Sequence, residues 1–289
     1  MSHILTFVAA NNNLTEDMIT LVLPVHGEVT WLSDNKAAEI EATKMLTIAE
    51  IEEFREHLAP HQMDVFCTPI ENRRKKLFMA DMDATIVTTE TLDELADEAG
   101  IKPQIAEITQ RAMRGELDFH EALRQRVRLI KDLPEEALKR TLDETVISNG
   151  AHTLLNTLKA NNVFTGLVSG GFTYYTNAIA DKLGFDINYG NQLDIKDGKL
   201  TGEVIDPILD KDSKLEFLNK YVQHNNVSLS DSIAIGDGAN DLPMLTAAGL
   251  GIGYQPKPLV RQEIVNCIIH TDLTSVLYMQ GYKEEVFAT

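Results

Sequence analysis

Two carboxylates one residue apart, Asp81 and Asp83, stand at the end of a short apolar run, with Thr85 two positions on. In a continuing strand they would face opposite ways; a turn at the strand end would bring both to one site. Clustered acids stay ionised only with a cation between them. Hard oxygen ligands of this kind suit Mg2+, which leans on one or two carboxylates and on substrate phosphate. A second pair, Asp237 and Asp241, occurs in Gly236-Asp237-Gly238-Ala239-Asn240-Asp241, again after an apolar run and ahead of a helical pattern. Either pair alone reads equally well as an acidic surface turn. Two pairs in matching places describe a divalent-cation site. Ser169-Gly170-Gly171 follows a third apolar run. A hydroxyl and free N–H groups ahead of a helix starting near 172 would cradle an anion. Lys214 sits at the opening of a helix expected over 213–224, where a cation opposes the helix dipole. That conflict points to a role elsewhere, such as neutralising a phosphate.

These residues need a frame that gathers them. Short buried strands are expected at 77–80, 163–168, 232–235, 250–252 and 267–269, with helices over 151–160, 172–183, 213–224 and 242–248. Buried strands alternating with helices make a parallel α/β sheet. The chemical residues then fall just past strand carboxyl ends, where open α/β sheets bind ligands. Between the first two strands lies a helical insert, with helices at 91–99, 103–114, 119–130 and 135–143, placed to act as a cap. A second insertion over 192–205 carries Asp197-Gly198 between alternating residues and reads as a β-hairpin. Residues 1–70 read as strands at 4–9, 29–32, 38–42 and 64–69 with helices at 16–23 and 47–58. The order β-α-β-β-α-β is the ferredoxin-like split βαβ. Thr47 and Glu50 have the spacing of a capping box. The basic run Arg73-Arg74-Lys75-Lys76 between the two patterns reads as a solvated linker. The expected division is an N-terminal α+β unit over 1–72 and an α/β unit over 73–289, with the cap at about 90–148.

Composition narrows the function classes. The chain has 289 residues, 44% hydrophobic and 24% charged, enough for two units with sizeable cores. With 26 basic and 44 acidic residues the net charge is −18, which excludes a general nucleic-acid surface. An acidic chain handling a phosphorylated ligand needs local positive charge, from a metal ion or a few placed cations. Two distant cysteines, Cys67 and Cys267, make no disulfide framework and no zinc pattern. No apolar run is long enough for a membrane helix and the N-terminus carries no signal-peptide pattern, so a cytoplasmic location without membrane attachment is expected. The sequence does not fix the oligomeric state, with a homodimer among the options.

The ordered set Asp81-x-Asp83-x-Thr85, Ser169, Lys214 and Gly236-Asp237-Gly238-x-Asn240-Asp241 resembles the four-motif signature of the haloacid-dehalogenase-like phosphatase superfamily. Met82, Glu90, Asp93-Glu94-Leu95-Ala96, the run from Arg126-Val127 to Leu133-Pro134, and Val168-Ser169-Gly170-Gly171-Phe172 are similar to the phosphoserine phosphatase family within it. The resemblance spans residues 77 to 270. It implies a Rossmannoid parallel sheet with a helical cap of the C1 type. Residues 1–70 lie outside it, although some members carry an N-terminal amino-acid-binding domain of ferredoxin-like, ACT-like topology.

The resemblance also implies roles. Asp81 would be the nucleophile that forms an aspartyl-phosphate, and Asp83 the general acid and base. Mg2+ would be held by the Asp81 carboxylate, the Asp83 carbonyl and Asp237, with Asp241 orienting metal-bound water. Ser169, Gly170 and Lys214 would grip the phosphoryl oxygens, with Thr85 and Asn240 assisting. In the cap, Glu90 would meet a substrate ammonium and Arg126 a carboxylate, with Met113 and Phe119 lining the apolar side. The implied reaction is Mg2+-dependent hydrolysis of O-phospho-L-serine to L-serine and phosphate, the last step of serine biosynthesis. Two rivals stay open. One is phosphoryl transfer to another alcohol such as homoserine, or action on another small phosphate. The other is an amino-acid-sensing regulatory protein.

Overall fold

The computed structural model describes residues 2–22, 28–113 and 116–288, and the side chains of all of these except 21, 22 and 113. Two sheets organise the chain. The first comprises β1 (His3–Ala9), β2 (Thr30–Ser33), β3 (Ala37–Ala42) and β4 (Met63–Pro69), antiparallel in the order β2-β3-β1-β4. With helices Glu16–Val22 and Ile48–Leu58 between strands, this is the ferredoxin-like topology. The Thr47–Glu50 capping box opens the second helix, each side chain taking a backbone N–H of the other.

Period-2 alternation splits this sheet into two buried faces. Leu5, Phe7, Ala38, Ile40, Val65 and Cys67 pack with Ile19 and Ile51 of its own helices. Val8, Ala37 and Phe66 turn the other way and join the core of the larger sheet, beside Tyr278 and Met279. That second burial explains why β1 reads as an almost continuous apolar run instead of an alternating one.

The larger sheet holds β5 (Leu77–Ala80), β6 (Phe164–Phe172), β7 (Ile187–Lys196), β8 (Lys199–Ile205), β9 (Ser232–Gly236), β10 (Leu250–Tyr254) and β11 (Asn266–Ile268). Its order is β11-β10-β9-β5-β6-β7-β8. All neighbours pair in parallel except β7 with β8. β5 and β9 are central and buried throughout. Four cap helices, Thr91–Glu98, Lys102–Met113, Phe119–Leu129 and Glu136–Glu144, and a fifth helix, Ala151–Ala160, lie in the chain between β5 and β6.

Several expectations are corrected. The 192–205 hairpin is not a free insertion: β7 begins at Ile187 and pairs with β6 through Gly166, Leu167 and Val168 before turning at Asp197-Gly198 into β8. The turn residues both have positive φ, as a two-residue hairpin loop requires. The helix expected at 213 opens at Lys211, capped by Asp210, so Lys214 lies a turn inside it. The dipole acts within the first turn, so the conflict falls away.

The basic run is only in part a solvated linker: Arg74 and Lys76 are exposed, whereas Arg73 is half-buried and Lys75 buried. Arg73 donates to Met279 O at 2.9 Å and to Glu39 Oε2 at 2.6 Å. Arg74 donates to Gln280 O and Gly281 O, with its guanidinium 3.4 Å over the Tyr282 ring. Lys75 is buried, donates to Ser230 O at 2.6 Å, and burial pulls its ammonium pKa down. Local charge density suggested solvent; long-range carbonyl partners consumed it instead.

Two further clamps join the sheets. The Asn266 side chain donates to Cys67 O and accepts from Cys67 N–H, imitating one rung of a β-ladder along β4. Asp64 is 1% exposed, and its Oδ2 accepts from Ile269, His270 and Thr271 N–H at 3.1, 3.0 and 2.9 Å and from Thr271 Oγ1 at 2.6 Å. Removing that acceptor strands a row of buried donors. Asp64→Ala is therefore expected to lower the unfolding free energy of the first transition in urea by about 3 kcal/mol. A loss below about 1 kcal/mol would show that the clamp contributes little.

Candidate active site

The carboxyl ends of the central strands build the site. The chain leaves β5 at Asp81 and makes a wide turn over Met82–Ile86, closed by Val87 N–H to Met82 O. Ala84 sits in the turn at φ +51, a left-handed position that costs a non-glycine residue about 1 kcal/mol. That turn sends the two carboxylates to different partners. Asp81 Oδ1 lies 2.8 Å from Lys214 Nζ. Asp83 Oδ1 accepts from Thr91 N–H at 2.8 Å, and Oδ2 accepts from Ser169 Oγ at 2.8 Å.

β9 ends at Gly236 and delivers Asp237 and Asp241. Carboxylate oxygens of Asp81, Asp237 and Asp241 lie within 4.8 Å of one another, all buried. Asp241 is filled: Oδ1 accepts from Lys214 Nζ at 2.5 Å, and Oδ2 from Asp237 and Gly238 N–H at 3.1 and 3.0 Å. Any β-carbon at 236 would stand 2.4 Å from the Asp241 carboxylate, so only glycine lets that loop close. Three hard oxygen donors at this spacing fit a divalent cation. Among the described residues, Asp81 and Asp237 each have one oxygen paired with a lysine and one that accepts no hydrogen bond, whereas both Asp241 oxygens already serve other donors. The Asp83 side chain points away from the cluster, toward Ser169.

The structure brings most of the other expected residues together. A cavity of about 520 Å³ is lined by Asp81, Asp83, Glu90, Phe119, Arg126 and Ser169, with Gly170, Asp237 and Asn240 also on its wall. Phe119 closes over Gly170, 3.4 Å from where a β-carbon would stand. At Gly171 a β-carbon would meet Asp83 Oδ2 at 2.6 Å. Arg126 is held inside the wall, its Nε donating to Ala122 O at 3.4 Å; burial opposes its charge while Asp93 and Glu90 support it. Lys214 and Asp241 lie beneath the cavity floor.

Other residues fall elsewhere. Thr85 is fully buried in the turn, and its hydroxyl has no partner and no place on the cavity wall. Met113 ends the helix Lys102–Met113, and its side chain lies outside the described residues. The anion cradle at 169–171 differs from expectation, because β6 runs on to Phe172 and the helix starts only at Thr173. Gly171 N–H is taken by Ser169 Oγ at 2.8 Å. Sequence reasoning missed Lys257, which lies 2.9 Å from Asp237 Oδ2 and 3.2 Å from Glu90 Oε1. Its signal was present: Pro256-Lys257-Pro258 follows β10, a further strand ending at the same edge.

Comparison with known proteins places this geometry. The model of the haloacid dehalogenase-like hydrolases matches residues 78–246. The chain is 40% identical over 205 residues to a phosphoserine phosphatase of Methanocaldococcus jannaschii, covering 71% of this chain and 97% of that one. The chain belongs to the haloacid dehalogenase-like hydrolases, in the phosphoserine phosphatase family. It is a phosphatase by that membership. A solved structure of a phospho-aspartyl intermediate analogue of phosphoserine phosphatase matches 71% of this chain and 98% of its own at 40% identity, with a TM-score of 0.66. A haloacid dehalogenase-family hydrolase of Salmonella enterica serovar Typhi matches more of the chain. It covers 96% of this chain and 98% of its own at 30% identity and a TM-score of 0.86, so the N-terminal sheet recurs there. No described helix is long and apolar enough to cross a membrane.

In this phosphatase, desolvation is the largest effect on the acidic groups of the site. Burial pushes the Asp81 carboxyl well up, reinforced by Asp241 and opposed by Lys214. It also raises Asp83 and Asp237. A group whose folded pKa lies above its unfolded value adds stability below the unfolded pKa and loses it as pH rises through the folded one. Metal-free protein should therefore lose this contribution as pH climbs past the ordinary carboxylate range. A divalent cation must displace those protons, so its stabilising effect should grow with pH. Thermal unfolding with and without Mg2+ from pH ~5 to ~8 tests this; a shift independent of pH would mean the cation does not bind these carboxylates.

Proposed function

We propose that the chain is a cytoplasmic, Mg2+-dependent phosphatase that hydrolyses O-phospho-L-serine to L-serine and phosphate. The observation that carries the reading is that one cavity holds the paired carboxylates Asp81 and Asp83 together with Glu90 and Arg126. These supply a nucleophile, a proton carrier, and one charge for each end of a phosphorylated amino acid.

The substrate enters with its ammonium toward Glu90 and its carboxylate toward Arg126, where a guanidinium gives bidentate geometry. Leaving either charge buried without its partner costs several kcal/mol, so the pair selects against phosphate esters lacking one end. Asp81 attacks phosphorus in line. The bond from phosphorus to the serine oxygen breaks as Asp83 protonates that oxygen, giving L-serine and an aspartyl-phosphate. Asp83 then takes a proton from water, which attacks phosphorus and frees Asp81 and phosphate. The raised Asp83 pKa suits the first, acidic role. Ser169 and Gly170 face the phosphoryl oxygens, and Lys214 holds Asp81 from below. Mg2+, held by Asp81 and Asp237 with the Asp83 carbonyl, would offset repulsion between the attacking carboxylate and the phosphate dianion. Phe119 over Gly170 helps keep water from the reacting atoms.

Phosphate release over a panel of small phosphate esters is the direct test, and added homoserine or other alcohols would reveal phosphoryl transfer as a drop in released phosphate. Chelator should abolish turnover and Mg2+ restore it. Asp81→Asn should keep the fold and lower kcat at least ~10³-fold; near-normal turnover would refute the covalent role. Arg126→Ala should reduce kcat/KM for phosphoserine roughly 100-fold while leaving a simple aryl phosphate within about threefold. Equal losses on both would remove Arg126 from carboxylate recognition.

A further inference from the structure

Lys257 lines the cavity and has no part in the reaction above. Among the described residues it is the ion-pair partner of Asp237, at 2.9 Å, and of Glu90, at 3.2 Å. Lys214, the other cation of the floor, reaches Asp81 and Asp241 and makes no ion pair with Asp237. Of the three clustered carboxylates, Asp237 therefore depends on Lys257 for its counter-charge. The lysine backbone is fixed: Lys257 N–H donates to Asp237 O at 2.9 Å, and prolines flank it on both sides. Its side chain is 48% exposed at the cavity mouth and is held there by these two ion pairs on a long flexible stem.

We infer that Lys257 is a resident counter-ion that occupies the places of two ligands at once, the divalent cation at Asp237 and the substrate ammonium at Glu90. This rests on the metal-dependent reading above. A cation that takes Asp237 Oδ2 breaks one of the two contacts holding the lysine. An ammonium that takes Glu90 breaks the other. After either event the lysine is held by a single exposed ion pair, worth at most about 1 kcal/mol, and the second displacement is easier. Each ligand thus raises the affinity of the other, by the same factor in both directions. Lys257 is a positioning residue in this scheme: it guards both carboxylates while the site is empty and swings into water as the site fills. The device also favours substrates with an ammonium, since a phosphate ester without one cannot displace the lysine from Glu90.

Calorimetric titration of Mg2+ into metal-free full-length chain, alone and with saturating L-serine, tests this without reference to turnover. L-serine carries the ammonium for Glu90 and the carboxylate for Arg126 but no phosphate, so any coupling it shows to Mg2+ does not come from a phosphate bound to the ion. Wild type should bind Mg2+ roughly 5-fold tighter with L-serine present. Lys257→Gln should bind Mg2+ at least roughly threefold tighter than wild type without L-serine, and its gain on adding L-serine should fall below about twofold. A merely structural role would weaken Mg2+ binding on substitution, not strengthen it. Unchanged or weaker Mg2+ binding by Lys257→Gln overturns the inference, as does an equal L-serine gain in both proteins. If wild type binds no Mg2+, both this inference and the metal-dependent reading fall.

Discussion

The Lys214 ammonium sits fully buried between Asp81 at 2.8 Å and Asp241 at 2.5 Å, and the arrangement of the site follows from it. Burying three carboxylates within 4.8 Å of one another is prohibitive unless positive charge goes with them. The two carboxylates keep the lysine charged against the pull of burial, raising its pKa despite complete desolvation. In return it fixes the side chains at the ends of two neighbouring central strands, β5 and β9. Asp241 then spends its other oxygen on two N–H groups of its own loop, which shapes the approach of Asp237. One cation thus aligns the nucleophile candidate and the loop that carries the second acid. It leaves Asp237 short of charge, and that shortage draws in a second lysine from a different strand end.

The scaffold supports this by joining its two sheets through specific polar contacts as well as apolar packing. β1 is buried on both faces, one against its own helices and one against the larger unit. Asp64 accepts the N–H groups of the segment after β11, while Arg73, Arg74 and Lys75 donate to carbonyls at the end of the helix Ser275–Met279, just beyond it, and before β9. The N-terminal unit is therefore seated on the sheet edge that includes β10 and β11, and β10 leads directly into Lys257.

Most strands and helices of both units were legible in the sequence because their physical causes are local, but the short helices Pro258–Glu263 and Ser275–Met279 and the start of β7 were not read. Apolar runs of four to six residues bounded by glycine or acids mark buried parallel strands, and Thr47 with Glu50 marks a helix start. Asp81, Asp83, Ser169 and Asp237 were legible because chemistry at strand ends uses residue types that the apolar runs exclude. Where each strand stopped was less so. β6 passes through Ser169-Gly170-Gly171 without ending there, since Phe172 still pairs with Asn191 of β7.

The sequence by itself determined which residue types stand at the strand ends, and with them the class of chemistry. Only the tertiary structure decided which of those charges meet. Glu90 and Lys257 are 167 residues apart and share an ion pair. Asp83 turns to Ser169 while Asp81 turns to Lys214, a choice made by the left-handed turn at Ala84 and by what lies across it. The basic run after residue 72 looked solvated because a linear chain shows its charges but not the carbonyls that will face them. Hydrophobic patterning is encoded at short range, whereas the pairing of charges depends on distances that exist only once the chain is closed upon itself.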